Sequence, residues 1–192
     1  MIYYNSSPSF VIVAGPNGSG KSTFVKSHLL SKYTQHQVLN YDDIVKANKI
    51  TNPISISAGK ELRKRFEAYQ SNLCSFIYET TLSDSSDFLI DSITKMQNEN
   101  WEVILYYLWI SSYNVSLDRV AQRVAAGGHD VEKKHIILRY QRSVRNLMLR
   151  YLPICNTVLC LDNEFTEARI IFSKNDGEVT VINESLYNDM SK

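Results

Sequence analysis

One stretch constrains this chain more than any other: Gly15-Pro16-Asn17-Gly18-Ser19-Gly20-Lys21-Ser22-Thr23, set directly after the apolar run Phe10-Val11-Ile12-Val13-Ala14. It fits the phosphate-binding loop pattern G-x-x-x-x-G-K-S/T, which works only between a strand and a helix. Gly15, Gly18 and Gly20 let the backbone bend tightly, so that successive N–H groups can converge on phosphate oxygens. A helix beginning near Lys21 adds the partial positive charge of its N-terminus. Lys21 is placed to reach β- and γ-phosphates, and the Ser22 hydroxyl to ligate Mg²⁺. The competing reading is a glycine-rich turn with a chance lysine. It leaves unexplained why every motif position is filled at the junction of a strand and a helix.

Composition narrows the rest. The 192 residues predict one domain spanning 1–192, with 44% hydrophobic and 21% charged residues, as in soluble globular proteins. Lys and Arg number 21 against 20 Asp and Glu, so no global basic excess argues for nucleic acid. Cys74, Cys155 and Cys160 are odd in number and lack C-x-x-C spacing. They read as buried thiols in a reducing compartment. Met1 to Ser9 has no signal-peptide pattern, and the apolar run Val103 to Ile110 is too short to span a bilayer. The expectation is a cytoplasmic protein without a membrane partner.

Along the chain, strand and helix signals alternate. Phe10 to Ala14 reads as a central parallel strand covered on both faces. A helix from Lys21 to Ser31 follows, then a weak strand Gln37-Val38-Leu39 ending in Asn40-Tyr41-Asp42-Asp43-Ile44. Acidic residues at the C-terminal end of a strand lie on the edge where open α/β sheets hold ligands. The plainer reading is that Asp42 or Asp43 caps the helix begun by Ile44. Asn52-Pro53 breaks the chain. Leu62, Phe66, Tyr69 and Leu73 then mark a helix from Ser57 to Leu73. Cys74 to Tyr78 reads as a strand delivering Glu79-Thr80-Thr81 to the same edge, with Glu79 as the metal-orienting acid. Ser83 to Gln97 reads as a helix capped by Ser83 or Asp84, and Trp101 to Ile110 as the most hydrophobic strand. This alternation predicts an α/β fold with a doubly wound parallel sheet.

After Ile110 the pattern changes. Ser116 to Ala125 reads as a helix with Arg119 and Arg123 at i and i+4, on one face. Ala126-Gly127-Gly128-His129-Asp130 interrupts it. A second helix, Val131 to Tyr151, carries Arg139, Arg142 and Arg145 at threefold spacing, and Pro153 ends it. Residues 113–151 thus predict an arginine-bearing helical lid over phosphates; the alternative is a surface hairpin whose arginines pair with local acids. Thr157 to Leu161 reads as a fifth strand leading to Asp162-Asn163. Ala168 to Phe172 and Glu178 to Ile182 flank Lys174-Asn175-Asp176-Gly177, a hairpin signal over about 168–183. That hairpin either extends the sheet or forms a separate ribbon.

Four segments taken together resemble the zeta-toxin-like P-loop kinases, including small stand-alone members often labelled predicted ABC-type ATPase. They are Ala14 to Thr23, Asn40 to Ile44, Tyr78 to Leu82 and Arg119 to Val131, with a weaker echo from Arg139 to Leu147. The similarity spans Val11 to about Asn163, and its most specific part is R-V-x-x-R-V-x-x-G-G-H-x-V. Glu132 stands where many relatives have proline, and Leu138-Arg139 where many have paired arginines. The resemblance implies an adenylate-kinase-like core and ATP- and Mg²⁺-dependent phosphorylation of a sugar hydroxyl. Its best-known acceptors are UDP-N-acetylglucosamine and related UDP-amino sugars, and it makes a protein antitoxin a candidate partner. By residue, it implies nucleotide contact for Gly15 to Thr23, metal contact for Ser22 and Glu79, and substrate contact for Glu79, Thr80 and Thr81. It also implies Asp42 as general base, Lys21 on the nucleotide, and Arg119 with Arg123 on the transferred phosphate.

Other functions fit less of the chain. A mechanical NTPase of the ABC type would carry an L-S-G-G-Q signature, which is absent. A kinase for nucleosides or nucleic-acid ends shares the P-loop, but no interleaved basic and aromatic stripe marks a long polynucleotide partner. A nucleotide-binding protein without catalysis would not need the complete Lys21-Ser22 pair.

Overall fold

The computed structural model describes residues 7–47, 56–128 and 130–191; Asn52-Pro53 and His129 of the sequence reading lie outside them. A seven-stranded sheet in the order β2-β3-β1-β4-β5-β6-β7 forms the frame. Its strands are β1 (Ser9–Ala14), β2 (Gln37–Leu39), β3 (Phe76–Thr80), β4 (Glu102–Trp109), β5 (Thr157–Asp162), β6 (Arg169–Asn175) and β7 (Glu178–Val181). The first five in spatial order are parallel, and β6 and β7 add on antiparallel. The hairpin therefore extends the sheet.

β1 is the hub. Phe10, Ile12 and Ala14 point into one core layer and Val11 and Val13 into the other, all fully buried. The two-residue period of a strand produces this division, and a strand covered on both faces has no polar side to show. The first layer is the larger: Phe10, Phe66, Phe76 and Tyr78 meet with centroids 4.6 to 6.5 Å apart. Strand order reverses around β1, with β3 on one side and β4 on the other. That reversal opens the crevice beyond the strands' C-terminal ends where such sheets bind ligands.

The helices are α1 (Lys21–Phe24), α2 (Tyr41–Ala47), α3 (Ile56–Ser71), α4 (Phe88–Asn98), α5 (Tyr113–Ala125), α6 (Lys133–Asn146), α7 (Leu152–Ile154) and α8 (Glu184–Met190). Several bounds differ from the sequence reading for identifiable reasons. The expected helix Lys21 to Ser31 is α-helical only to Phe24 and continues as a π-helical turn, Val25–Leu29. Leu30 N–H reaches back to the Val25 carbonyl, five residues earlier. A second such turn, Leu147–Tyr151, follows α6, so Pro153 falls in the first turn of α7 and its missing N–H costs nothing there. The helix expected from Ser83 starts only at Phe88, because Asp84 instead accepts from the Ser86 N–H (3.0 Å) and hydroxyl (2.9 Å). Such local bonding competes with helix formation. β3 begins at Phe76 rather than Cys74 and runs through Thr80, so Glu79 lies inside the strand, paired with Val13. Cys155 and Cys160 are buried, whereas Cys74 is half-buried; all three are free. The β6–β7 turn is only Asp176-Gly177, both with positive φ (48 and 92). That is the requirement of a two-residue hairpin turn with I′ geometry.

Lys174 is the one buried lysine of the outer strands: its Nζ donates to the carbonyls of Leu152 (2.7 Å) and Pro153 (3.2 Å). Those carbonyls lie at a helix end and have no helical partner of their own. No helix among the described residues is long and apolar enough to cross a membrane. Lys174→Met keeps the stem and removes the donor. It should lower unfolding free energy by about 1–3 kcal/mol, read as a shifted urea midpoint at unchanged slope; an unshifted midpoint refutes this role.

Candidate active site

The loop between β1 and α1 curls as its glycines permit. Gly15 adopts φ 142, and a Cβ there would lie 2.3 Å from the Leu108 carbonyl of β4, so any side chain would force the strand away. Gly20 adopts φ 88, with Asn163 pressed against it. Turning the N–H groups inward leaves the carbonyls outward, and each needs a donor. Asn163 Nδ2 donates to the Ser19 carbonyl at 2.7 Å and Phe24 N–H to that of Gly20 at 2.9 Å.

Lys21 folds back over the loop, its ammonium donating to the carbonyls of Gly15 (2.8 Å) and Pro16 (2.9 Å). Desolvation pulls its pKa down to about 8; Glu79 and Asp42 oppose that shift, while Arg123 and Arg139 reinforce it. These five charged groups therefore share one cleft. Ser22 Oγ donates to Glu79 Oε2 at 2.7 Å, and Asn40 Nδ2 approaches Ser22 Oγ at 3.4 Å. The Ser22–Glu79 pair presents hard oxygen donors of the kind Mg²⁺ takes alongside substrate phosphates. No cluster of three or more His, Cys, Asp and Glu forms among the described residues. The oxygen set thus suits a metal shared with a nucleotide better than an all-protein cage.

Asp42 and Asp43 occupy the first turn of α2, and neither is its cap. Asn40 takes that task, its Oδ1 accepting from the Asp42 N–H at 2.8 Å. Asp42 is half-buried with Oδ2 3.9 Å from Arg123 Nη1, whereas Asp43 is exposed. The two neighbours divide as expected, one toward the cleft and one toward solvent. Thr80 closes β3, and its Oγ1 accepts from Leu82 N–H (3.3 Å); Thr81 Oγ1 pairs with Ser83 Oγ (2.7 Å). Both hydroxyls thus shape the loop beyond Glu79.

The two lid arginines separate. Arg119 is an anchor: Nη1 donates to the carbonyls of Gly18 (3.1 Å) and Asn163 (3.1 Å), and Nη2 to that of Glu164 (2.5 Å). Its guanidinium is held by three backbone carbonyls, beside the phosphate loop. Arg123, one turn on, reaches across to Asp42. α6 is held as well, through Tyr107 OH and Ser143 Oγ (2.9 Å) and through Tyr140 OH on the Ile110 carbonyl (2.9 Å). The helical pair is docked at its base, and its exposed end is the turn around Gly127, where φ is 83. Three contributors were absent from the sequence-derived site: Asn40, Asn163 and Arg139. Asn40 and Arg139 had readable signals, an Asn directly before a helix and an arginine on the lid helix, whereas Asn163 had none.

A family model described as RNA12 protein matches residues 2–63, the part that holds β1 and the phosphate loop. The ribosome biogenesis protein bms1 of Schizosaccharomyces pombe is 33% identical over 97 residues, 50% of this chain and 8% of that protein. An uncharacterized protein of Haemophilus influenzae is 29% identical over 135 residues, covering 68% of this chain and 91% of its own length. Among solved structures, the AvrRxo1-ORF1:-ORF2 complex with ATP superposes with a TM-score of 0.69 at 18% identity, over 98% of this chain and 64% of the other. The PezAT chromosomal toxin–antitoxin system of Streptococcus pneumoniae gives 0.59 at 15% identity, over 97% and 86%. The chain thus spans less than two thirds of the length of bms1 and of the AvrRxo1 chain. It shares its α/β fold with these two solved structures, in line with the parallel α/β order that its motifs implied.

Two outcomes test this geometry. Arg119→Ala should destabilise the unliganded protein by about 1–3 kcal/mol, because three backbone carbonyls lose their donor. An arginine directed only at phosphate would leave unliganded stability unchanged. Above pH 8 the Lys21 amine of the free protein is mostly neutral. Polyphosphate favours the ammonium and raises its pKa, so nucleotide binding should take up about half a proton at pH 8, rising towards one by about pH 9, and affinity should fall as pH rises through that range. Calorimetry in two buffers of different ionisation enthalpy measures the uptake; its persistence in Lys21→Met rules Lys21 out.

Proposed function

We propose that this protein is an ATP-dependent phosphotransferase of the zeta-toxin type, which phosphorylates a hydroxyl of a UDP-amino sugar such as UDP-N-acetylglucosamine. One observation carries the reading: a half-buried carboxylate, Asp42, acts on Lys21 and faces Arg123 at 3.9 Å, while Ser22 bonds to a different carboxylate, Glu79. Nucleotide and metal binding already have their groups in Lys21, Ser22 and Glu79. A second carboxylate flanked by an arginine is what transfer to a hydroxyl requires: a proton acceptor and positive charge on the moving group. The shared fold with AvrRxo1, solved with ATP, and with a toxin–antitoxin protein supports the same reading, and supports a protein antitoxin as partner.

In this mechanism the phosphate loop's N–H groups and Lys21 hold the β- and γ-phosphates, with Lys21 leaving the Gly15 and Pro16 carbonyls to do so. Ser22 and Glu79 are the residues that would hold a Mg²⁺ ion, which would supply positive charge to the phosphates when bound. Asp42 takes the proton of the acceptor hydroxyl as that oxygen bonds to the γ-phosphorus and the bond to the β–γ bridging oxygen breaks, releasing ADP. Arg123 turns from Asp42 toward the transferring phosphoryl, with Arg139 beside it.

The test uses γ-labelled ATP with UDP-sugars, nucleosides and oligonucleotides as acceptors. Asp42→Asn keeps the shape and removes the base, so label transfer should fall by roughly 10²–10⁴-fold with nucleotide binding retained. Asp43→Asn should change little, since that side chain faces solvent. Loss of transfer in Asp43→Asn with Asp42→Asn still active would reassign the base. Label appearing only on oligonucleotides would replace the sugar acceptor.

A further inference from the structure

The strand order sets β3 and β4 on either side of β1, so the crevice above the phosphate loop is walled by the segments that leave those two strands. One helix is bonded to both walls. On the β4 side, α6 is tied through Ser143 to Tyr107 and through Tyr140 to the Ile110 carbonyl. One turn beyond Ser143, Asn146 reaches the opposite wall. Its Nδ2 has two hydrogens to donate, and two carbonyls face it, those of Leu82 (2.6 Å) and Asp84 (3.1 Å).

The segment held in this way lacks regular structure of its own. β3 ends at Thr80 and α4 begins at Phe88, with neither helix nor strand between them. Leu82 has φ 53, the left-handed region in which the Cβ of a leucine crowds the backbone. Of the described non-glycine residues with positive φ, Leu73, Asn100 and Asp176 are exposed, whereas Leu82 is buried. Such a conformation persists where the surroundings over-determine it, and here every group of the residue is tied. The Leu82 side chain lies in the core layer of Leu105 and Tyr107, and its N–H reaches Thr80 Oγ1 at 3.3 Å. Its carbonyl takes the shorter of the two Asn146 bonds. Arg150 holds only the far end of the segment, at the carbonyls of Asp84 (3.3 Å) and Ser86 (3.5 Å).

This wall serves one half of the cleft. Lys21 and Ser22 follow β1, and pairing with Val13 fixes Glu79 within the sheet. Asp42 follows β2, which lies beyond β3 and away from β4. An acceptor hydroxyl placed on Asp42 therefore lies by the ends of β2 and β3, next to the segment that Asn146 holds. Loss of the Asn146 bonds would let Leu82 leave its strained turn and carry with it Thr81 and Ser83, whose hydroxyls pair at 2.7 Å.

We infer that Asn146 is a positioning residue for the acceptor side of the cleft: it keeps Leu82 in its left-handed turn and so sets the wall that an acceptor meets. The inference rests on the kinase reading and adds a residue that acts through the loop after β3.

Two variants test it. Asn146→Asp keeps the volume and replaces the donor by an oxygen, and Asn146→Ala removes the group. Lys174→Met, on the outer strands, is the control for lost stability. In both Asn146 variants kcat/KM for UDP-N-acetylglucosamine should fall by roughly 10–100-fold. Affinity for a non-hydrolysable ATP analogue, measured by calorimetry, should stay at the wild-type value. Hydrogen exchange over residues 81–86 should quicken while that over 9–24 is unchanged, and Lys174→Met should show neither effect. Wild-type kcat/KM in the Asn146 variants overturns the positioning role and leaves the kinase standing. Equal losses of nucleotide affinity and turnover, a matching loss in Lys174→Met, or failure of both Asn146 variants to fold assigns Asn146 to stability alone and overturns the inference. A wild-type protein that labels no acceptor removes the kinase reading, and this role with it, even where exchange over 81–86 quickens in the variants.

Discussion

A loop that turns its N–H groups inward to meet phosphate must turn its carbonyls outward, and buried carbonyls require donors. Much of this molecule answers that requirement. Gly15 and Pro16 are satisfied by Lys21, Gly18 by Arg119, Ser19 by Asn163 and Gly20 by the first helical turn. These donors come from α1, α5 and the loop after β5, so the phosphate loop gathers elements separated by more than a hundred residues.

This requirement divides the arginines. Arg119, with three carbonyl acceptors, joins the phosphate loop to the loop after β5. Arg123 and Arg139 stand one turn or more from such anchors and are left to the cleft, where both depress the Lys21 pKa. Arg142 and Arg145 lie further along α6 and face a different wall. A helix turns about 100° per residue, so arginines three and four apart share a face yet reach different depths along it.

The central strand, the phosphate loop and the alternation of strand and helix were all legible in the residues. β1 is read from an unbroken apolar run, and the loop from a motif whose spacing is dictated by phosphate geometry. The assignment of Asp42 to the cleft side and Asp43 to solvent agrees with the structure, although the capping argument attached to them does not: Asn40 caps α2. The helix expected from Ser83 failed because Asp84 and Ser86 satisfy each other locally, a competition that hydrophobic spacing does not register. Likewise β3 runs two residues further than its apolar letters, since pairing with β1 carries Glu79 and Thr80 into the sheet.

What the sequence alone determined is whatever local chemistry dictates: a buried strand, a glycine-rich bend, a lysine and hydroxyl at its end, and a parallel α/β order. Tertiary structure decided which charged groups meet. Arg119 and Arg123 are equivalent in spacing and composition, yet one is bound to backbone and the other faces a carboxylate. Asn163 reads as an ordinary loop residue until the fold sets it on the Ser19 carbonyl, 144 positions earlier in the chain. Local preferences act over a few residues, whereas a guanidinium's partners depend on which carbonyls the packed elements bring within about 3 Å of it. Those distances exist only once β1, β4 and β5 lie side by side.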